Sequence, residues 1–153
     1  MFFKLKKLLK LISHKKSFFG IFNGIYAAVE HLEIISKINP KTVFDVGANK
    51  GQFALAVNIV DDNIKIISFE PQIKPAKVFK NFFKDNSNVA LHECAIDKDV
   101  GTEKLHISGK NDSSSLLQIS DLQEEIFKGT KEIGQIDIEV RNVDSFQFQW
   151  DQF

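Results

Sequence analysis

The order of residues predicts an α/β fold, a parallel sheet covered by helices with an antiparallel extension behind it. Three observations predict it. Between residues 25 and 96, short β-branched runs alternate with stretches of helical period, in the order helix, strand, helix, strand, helix, strand. The runs "TVFDV" (42–46) and "IKIISF" (64–69) lack a polar face, as strands covered on both sides of a parallel sheet do. After residue 97 the pattern changes: "TEKLHIS" and "IDIEVRNV" alternate apolar and polar residues with period two.

Taken in order, the first sixteen residues, "MFFKLKKLLKLISHKK", differ from the rest. Lys4, Lys6, Lys7, Lys10, Lys15 and Lys16 are accompanied by no acid, and Leu5, Leu8, Leu9 and Ile12 recur at i, i+3, i+4, i+7. Lys10 interrupts the apolar core that a signal peptide needs, and the apolar runs are too short to span a bilayer. Two readings follow: a helix packing its Leu/Ile face on the domain, or a helix lying weakly on an anionic membrane surface. Amphipathicity alone favours the first. Residues 1–24 are therefore set apart as a basic amphipathic segment, and 25–153 form one domain.

A helix is expected from about Ile25 to Ile38, stopped by Asn39-Pro40, because the residue before a proline leaves the helical region. "GQFALAVNIV" reads as the next helix. "PQIKPAKVFKNFFKDN" reads as another, with Val78, Phe79, Phe82 and Phe83 on one side. "VALHECAI" (89–96) is the third strand. The polar stretch 109–134 is a long loop joining two antiparallel strands. Parallel neighbours imply right-handed crossovers.

Composition narrows the function classes. Lys+Arg and Asp+Glu are both 20, so a neutral chain gives no electrostatic case for nucleic acid. The single cysteine, Cys94, cannot form an internal disulfide and fits a reducing compartment. His14, His31, His92 and His106 are scattered, with no metal-ligand spacing, so no metal is expected. Nothing in the sequence speaks to oligomeric state.

The chemistry concentrates in "DVGANKG" (45–51). A strand running into a helix leaves backbone N–H groups at the helix start pointing outward. Gly47 and Gly51 can take backbone angles closed to other residues, and they let a ligand approach. In open parallel sheets ligands sit beyond the carboxyl ends of the strands. A dinucleotide turn has three glycines as G-x-G-x-x-G, whereas here there are two, four apart, with Asn49 between them. Asp45 would repel a pyrophosphate but attract a cofactor with sulfonium and ammonium charges, which points from NAD to S-adenosyl-L-methionine. The plainer alternative for Asp45 is a strand-terminal cap. Glu70 closes the second strand in "SFEP", 25 residues on, where an acid can accept ribose hydroxyls. Its alternative is a solvated loop acid. Ala95 and Ile96 stand at the end of the third strand, where an adenine ring could lie or where they are plain core.

These residues resemble the FkbM-type methyltransferases, S-adenosylmethionine-dependent enzymes with a Rossmann-like fold. The blocks "YAAVEHL" (26–32), "VFDVGANKGQFAL" (43–55), "ISFEP" (67–71), "LHECAI" (91–96), "NDSSSLL" (111–117) and "VRNVDSF" (140–146) are similar to that family's, in order. The glycine turn is common to many methyltransferases, while "FEP" with "DSSSL" is more specific. The resemblance implies that Asp45, Gly47, Ala48, Asn49 and Gly51 line the methionine and ribose part of the cofactor. It implies that Glu70 holds the ribose hydroxyls and that Ala95 and Ile96 lie by the adenine. Ser113, Ser114 and Ser115 would lie near the cofactor or acceptor mouth; read by themselves they are a loop, since Asp and Ser favour local turns.

The family's pattern continues past "VRNVDSF" into a strand resembling "KIDVQGFE" and further elements. On that resemblance the chain is an incomplete Rossmann-like methyltransferase sheet: an N-terminal fragment that holds the cofactor half and lacks most of the acceptor half. The function implied is O-methylation of a sugar, glycan or secondary-metabolite hydroxyl, in a bacterial cytoplasm. His106 and Asp97 could act as bases, but nothing beyond their chemistry recommends either. The alternative is a catalytically inactive half-domain that binds the cofactor or a partner. A NAD-type dehydrogenase half-domain is disfavoured by Asp45 and the absent third glycine.

Overall fold

The computed structural model describes residues 14–110 and 113–146. The helix expected over residues 1–13 lies outside them, as do Asn111, Asp112 and residues 147–153. The chain forms two compact units, one running through Glu93 and one beginning at Cys94.

The first unit opens with α1 (Lys15–Phe22). Its inner face is made of small residues: Ser17 and Gly20 are buried, with Ile21 partly buried beside them. A Cβ on Gly20 would stand 2.6 Å from the Leu55 side chain and 2.9 Å from the Ile25 carbonyl oxygen, so only glycine permits this approach. Phe18, Phe19 and Phe22 are left on the outside.

The helix expected from Ile25 starts late. A 3₁₀ turn spans Val29–His31 and α2 spans Leu32–Ile38. Ile25, Ala27 and Val29 are all buried, a period of two, and the Ala28 N–H donates to the Gln52 carbonyl. Tertiary burial of alternate residues has overridden the helical period there. Asn39 ends α2 in the left-handed region at φ 48°, directly before Pro40, as the sequence reading expects.

Then follow β1 (Thr42–Val46), α3 (Gln52–Val60), β2 (Lys65–Phe69), α4 (Ile73–Phe83) and β3 (Val89–His92). The three strands are parallel, in the order β1-β2-β3, with Asp45 beside Ser68 and Ile66 beside Val89. Ala54, Leu55, Ala56 and Val57 of α3 and Phe79 and Phe83 of α4 build the core with Ile25, Ile64 and Ile66. Pro75 sits in the first turn of α4, where a missing N–H costs nothing. β2 is buried from Ile66 to Phe69, as a central strand should be. β1 is less so: Asp45 is its one buried residue and Val46 is 59% exposed, because among the described strands β1 pairs only with β2.

"VALHECAI" is not one strand. It breaks at Glu93-Cys94, and Ala95–Ile96 form β4 in a different sheet. In the second unit, β4 pairs in parallel with β6 (Glu132–Arg141), and β5 (Gly101–Ser108) pairs with β6 antiparallel. The expected antiparallel pair is therefore present, with β6 central. Leu105, Ile138 and Val140 form a small cluster against which Ala95, Ile107 and Leu116 pack. The joining loop carries a short helix, α5 (Asp121–Ile126), capped by Ser120 Oγ, which accepts from the Gln123 N–H. Thr130, buried, donates its hydroxyl to the Phe127 carbonyl at 2.8 Å, and Ser108 Oγ donates to the Thr130 carbonyl at 3.1 Å. Among the described residues no helix is long and apolar enough to cross a membrane.

Candidate functional site

At the carboxyl end of β1 the chain must reverse direction within a few residues to start α3. Gly47, Asn49 and Gly51 do this with φ values of 80°, 49° and 96°. The N–H groups of Gly47 and Ala48 both donate to the Phe69 carbonyl at 2.9 Å, which ties the turn to the end of β2. The Gly51 N–H closes back on the Ala48 carbonyl at 2.8 Å, and Leu55 N–H then donates to the Gly51 carbonyl to begin α3.

Glu70 fastens this turn from the next strand end. Its Oε2 accepts from the Asn49 N–H at 2.7 Å and its Oε1 from the Gln72 N–H at 2.8 Å, while its own N–H donates to the His92 carbonyl at 3.0 Å. The ends of β1, β2 and β3 are thus laced through one residue. Glu70 is 3% exposed, and burial is the main reason its carboxyl lies above the usual range, opposed by those two N–H groups. It is no solvated loop acid. The Gln72 side chain also bonds this carboxylate, which leaves part of its acceptor capacity open.

Asp45 lies beside it in the same unit, 8% exposed. Its carboxylate accepts from the Ala54 N–H in the first turn of α3, a bond to the following helix rather than the local one of a strand-terminal cap. Its Oδ2 has no hydrogen-bond partner among the described residues. Burial pushes the carboxyl up to about 6; the Ala54 N–H works against that, and the charge of Glu70 adds to it. No cationic side chain figures among the causes of either shift. Two buried carboxylates with no ion-pair partner among the described residues make a place that repels anions and favours a cation.

The family comparison bears on the same residues. The model of the methyltransferase FkbM domain matches residues 45–151, more than half of the chain. The chain belongs to the FkbM methyltransferase family. No curated protein and no solved structure matched it.

The match begins at Asp45, the residue that opens the turn of this FkbM domain. The two glycines of the methyltransferase turn differ in what they face. A Cβ on Gly47 would meet nothing within 4 Å, so this glycine borders open space, as a ligand-facing position requires. A Cβ on Gly51 would stand 2.7 Å from the Phe83 ring and 2.9 Å from the Phe79 ring. The close approach at Gly51 is therefore to the protein's own α4 rings. Ala48 is buried and belongs to the core.

The FkbM domain brings Asp45, Gly47, Ala48, Asn49, Gly51 and Glu70 together in the first unit. Ala95 and Ile96 stand in the second, half-buried on β4, with Ala95 packed on the Leu105/Ile138/Val140 cluster. Ser113, Ser114 and Ser115 are also there and make local bonds. Ser113 N–H donates to the Lys110 carbonyl at 3.0 Å, Ser114 Oγ accepts from the Ser108 N–H at 3.2 Å, and Ser115 Oγ accepts from the Leu117 N–H at 3.0 Å. Ser115 also forms an antiparallel bridge with His106. Four participants escaped the sequence reading: the Phe69 and His92 carbonyls and the Ala54 and Gln72 N–H groups. Backbone groups carry no residue signature, so only the strand-end position of their neighbours could have flagged them.

Proposed function

We propose that the first unit binds S-adenosyl-L-methionine at the turn 45–51, and that the chain serves O-methylation of a sugar, glycan or secondary-metabolite hydroxyl. The observation that carries this reading is the Oδ2 of Asp45, buried beside Glu70 and without a hydrogen-bond partner among the described residues, with no described side chain ion-paired to either acid. Such a pair suits a cofactor bearing sulfonium and ammonium charges and disfavours a pyrophosphate. Gly47, bordering open space at φ 80°, adds the close backbone approach that a bound ligand needs. When bound, that cofactor supplies an electrophilic methyl group for in-line displacement by the acceptor oxygen.

The residues of the chain have separate tasks in this reading. Asp45 holds positive charge at the strand end. Glu70 keeps the turn fixed through the Asn49 and Gln72 N–H groups and offers its remaining acceptor sites to hydroxyls. A turn held in advance contributes by orientation, which supplies up to about 7–11 kcal/mol in the most favourable reactions. No base for the acceptor hydroxyl is assigned.

Calorimetric titration of S-adenosylmethionine into the full chain tests the reading. Saturable one-site binding that Asp45→Asn weakens by at least about tenfold, the equivalent of ~1.4 kcal/mol, is expected. Absence of binding by a folded chain refutes it. A second reading, a binding half-domain without transfer, draws on the open edge of β1. Transfer of labelled methyl from the cofactor to any hydroxyl acceptor would exclude it.

A further inference from the structure

α4 and the edge of β3 enclose a groove that the cofactor reading leaves unused. Phe79, Phe83, Val89 and Leu91 make its apolar walls, Lys80 and Lys84 stand at its rim, and it holds about 210 Å³. None of these residues belongs to the turn 45–51. Phe79 and Phe83 are 1% and 5% exposed, and both rings stand against Gly51. Val89 and Leu91 pack on the same core. Core packing therefore fixes the walls, and the groove is formed before any ligand arrives.

The rim is positive. Lys74, Lys77, Lys80 and Lys84 recur along α4 and its carboxyl-terminal cap at spacings of three, three and four; all are exposed, and α4 itself contains no acid. Lys80 is bonded to Glu93 at 2.6 Å, while the other three make no ion pair among the described residues. Asp85, next in the chain after Lys84, is exposed and does not line the groove. Four lysines against these two acids leave a positive excess, larger than the roughly half negative charge at the carboxyl end of a helix. The walls call for an apolar body, the rings of Phe79 and Phe83 favour an aromatic one by edge-to-face contact, and the lysines call for an anionic end. A cavity of about 150 Å³ accepts benzene, so this groove has room for one ring and a short acidic tail.

We propose that this groove is a binding site for a small carboxylate carrying one aromatic ring, the ring lying against Phe79, Phe83 and Leu91 and the carboxylate meeting Lys84. Lys84 is the anchor because Glu93 already engages Lys80. The site needs neither the cofactor nor the assignment of the turn.

Titration of hydrocinnamate into the isotope-labelled full chain, followed by amide chemical shifts, tests this. Saturable shifts are expected at Lys84, Val89 and Leu91, with roughly millimolar affinity or tighter for a ligand of this size. Hydrocinnamyl alcohol has the same shape without the charge and is expected to bind at least about threefold more weakly, since an exposed ion pair contributes modestly. The Lys84→Gln variant is expected to lose affinity for hydrocinnamate by a similar factor, and its substitution is at an exposed position that leaves the fold alone. Val89→Phe fills the groove and is expected to abolish binding. If that variant has lost the wild-type circular dichroism spectrum, the Lys84→Gln comparison decides alone. No saturable shift at up to about tenfold the expected concentration overturns the proposal. So do shifts that gather outside the groove, equal affinity for the acid and the alcohol, and unchanged affinity of Lys84→Gln or of a folded Val89→Phe variant.

Discussion

Asp45→Asn is expected to make the protein more stable at neutral pH while weakening its cofactor site. The Asp45 carboxyl lies at about 6 in the folded chain against 3.8 for a free side chain, chiefly through burial. A raised carboxyl pKa means that the folded state holds the proton more tightly than the unfolded one. Between pH 3.8 and about 6 the folded state therefore binds more protons, and stability falls as pH rises through that window, then levels off. A shift of about two units at ~1.4 kcal/mol each gives a penalty of ~3 kcal/mol for the ionised carboxylate. Asparagine removes that penalty and can still accept from the Ala54 N–H, though it loses the charge-assisted part of that bond, ~1 kcal/mol. The net gain near pH 7 is ~1–2 kcal/mol, or ~2–8 °C in Tm for a chain of this size. Urea titrations of both proteins from pH 4 to pH 8, followed by circular dichroism, measure it. The curves should nearly coincide at pH 4 and separate as pH rises, the difference between them isolating Asp45 from the carboxyls that titrate in both proteins. A variant less stable than wild type at pH 7, or two parallel curves, would refute the reasoning.

The two turn glycines give an internal comparison. Gly47→Ala meets no neighbour and bears only the left-handed backbone, ~1–2 kcal/mol, whereas Gly51→Ala adds a clash with Phe79 and Phe83 and should cost ~2–5 kcal/mol in chemical denaturation. Equal effects would show that the ring contact does not matter. Glu70→Gln can accept only one of the Asn49 and Gln72 N–H groups, so a loss of ~1–3 kcal/mol is expected, together with faster amide exchange at Asn49. Unchanged exchange there would mean that Glu70 is not what holds the turn.

Much of the first unit was legible because its signals are local. "TVFDV" and "IKIISF" occupy the expected strands, Asn39-Pro40 ends α2, and Phe79 and Phe83 bury themselves as the spacing of α4 implies. The period-two segments after residue 97 pair antiparallel. Three features were not legible. Ala27, Ala28, Leu32, Ile35 and Ile38 roughly follow the helical period, but the burial of Ile25, Ala27 and Val29 that delays the helix is decided by partners distant in sequence. The break at Glu93-Cys94 has no glycine or proline to announce it; β4 leaves because β6, some forty residues later, supplies its hydrogen bonds. The candidate site was legible in position, with Asp45, the glycines and Glu70 at one end of one sheet. Its bonding was not, since the direction a carboxylate takes after a strand end depends on which backbone N–H groups the rest of the fold leaves open. Gly51 shows the same limit: a glycine kept for a ring and one kept for a ligand look alike in sequence.

The placement of Cys94 sets a clock on synthesis. β1, β2 and β3 succeed one another along the chain, so every strand pairing of the first sheet is available once Glu93 has emerged. The second sheet has no such order. β4 comes first and can pair only with β6, which is made last. Cys94 is buried, its thiol held above its usual range by that burial and by the nearby charge of Glu139 on β6. Glu139 places β6 near that thiol, so the thiol is expected to be more accessible before β6 leaves the ribosome than after. The labelling rate of the chain's one sulfhydryl in nascent chains of graded length would then read out the moment at which the second unit closes.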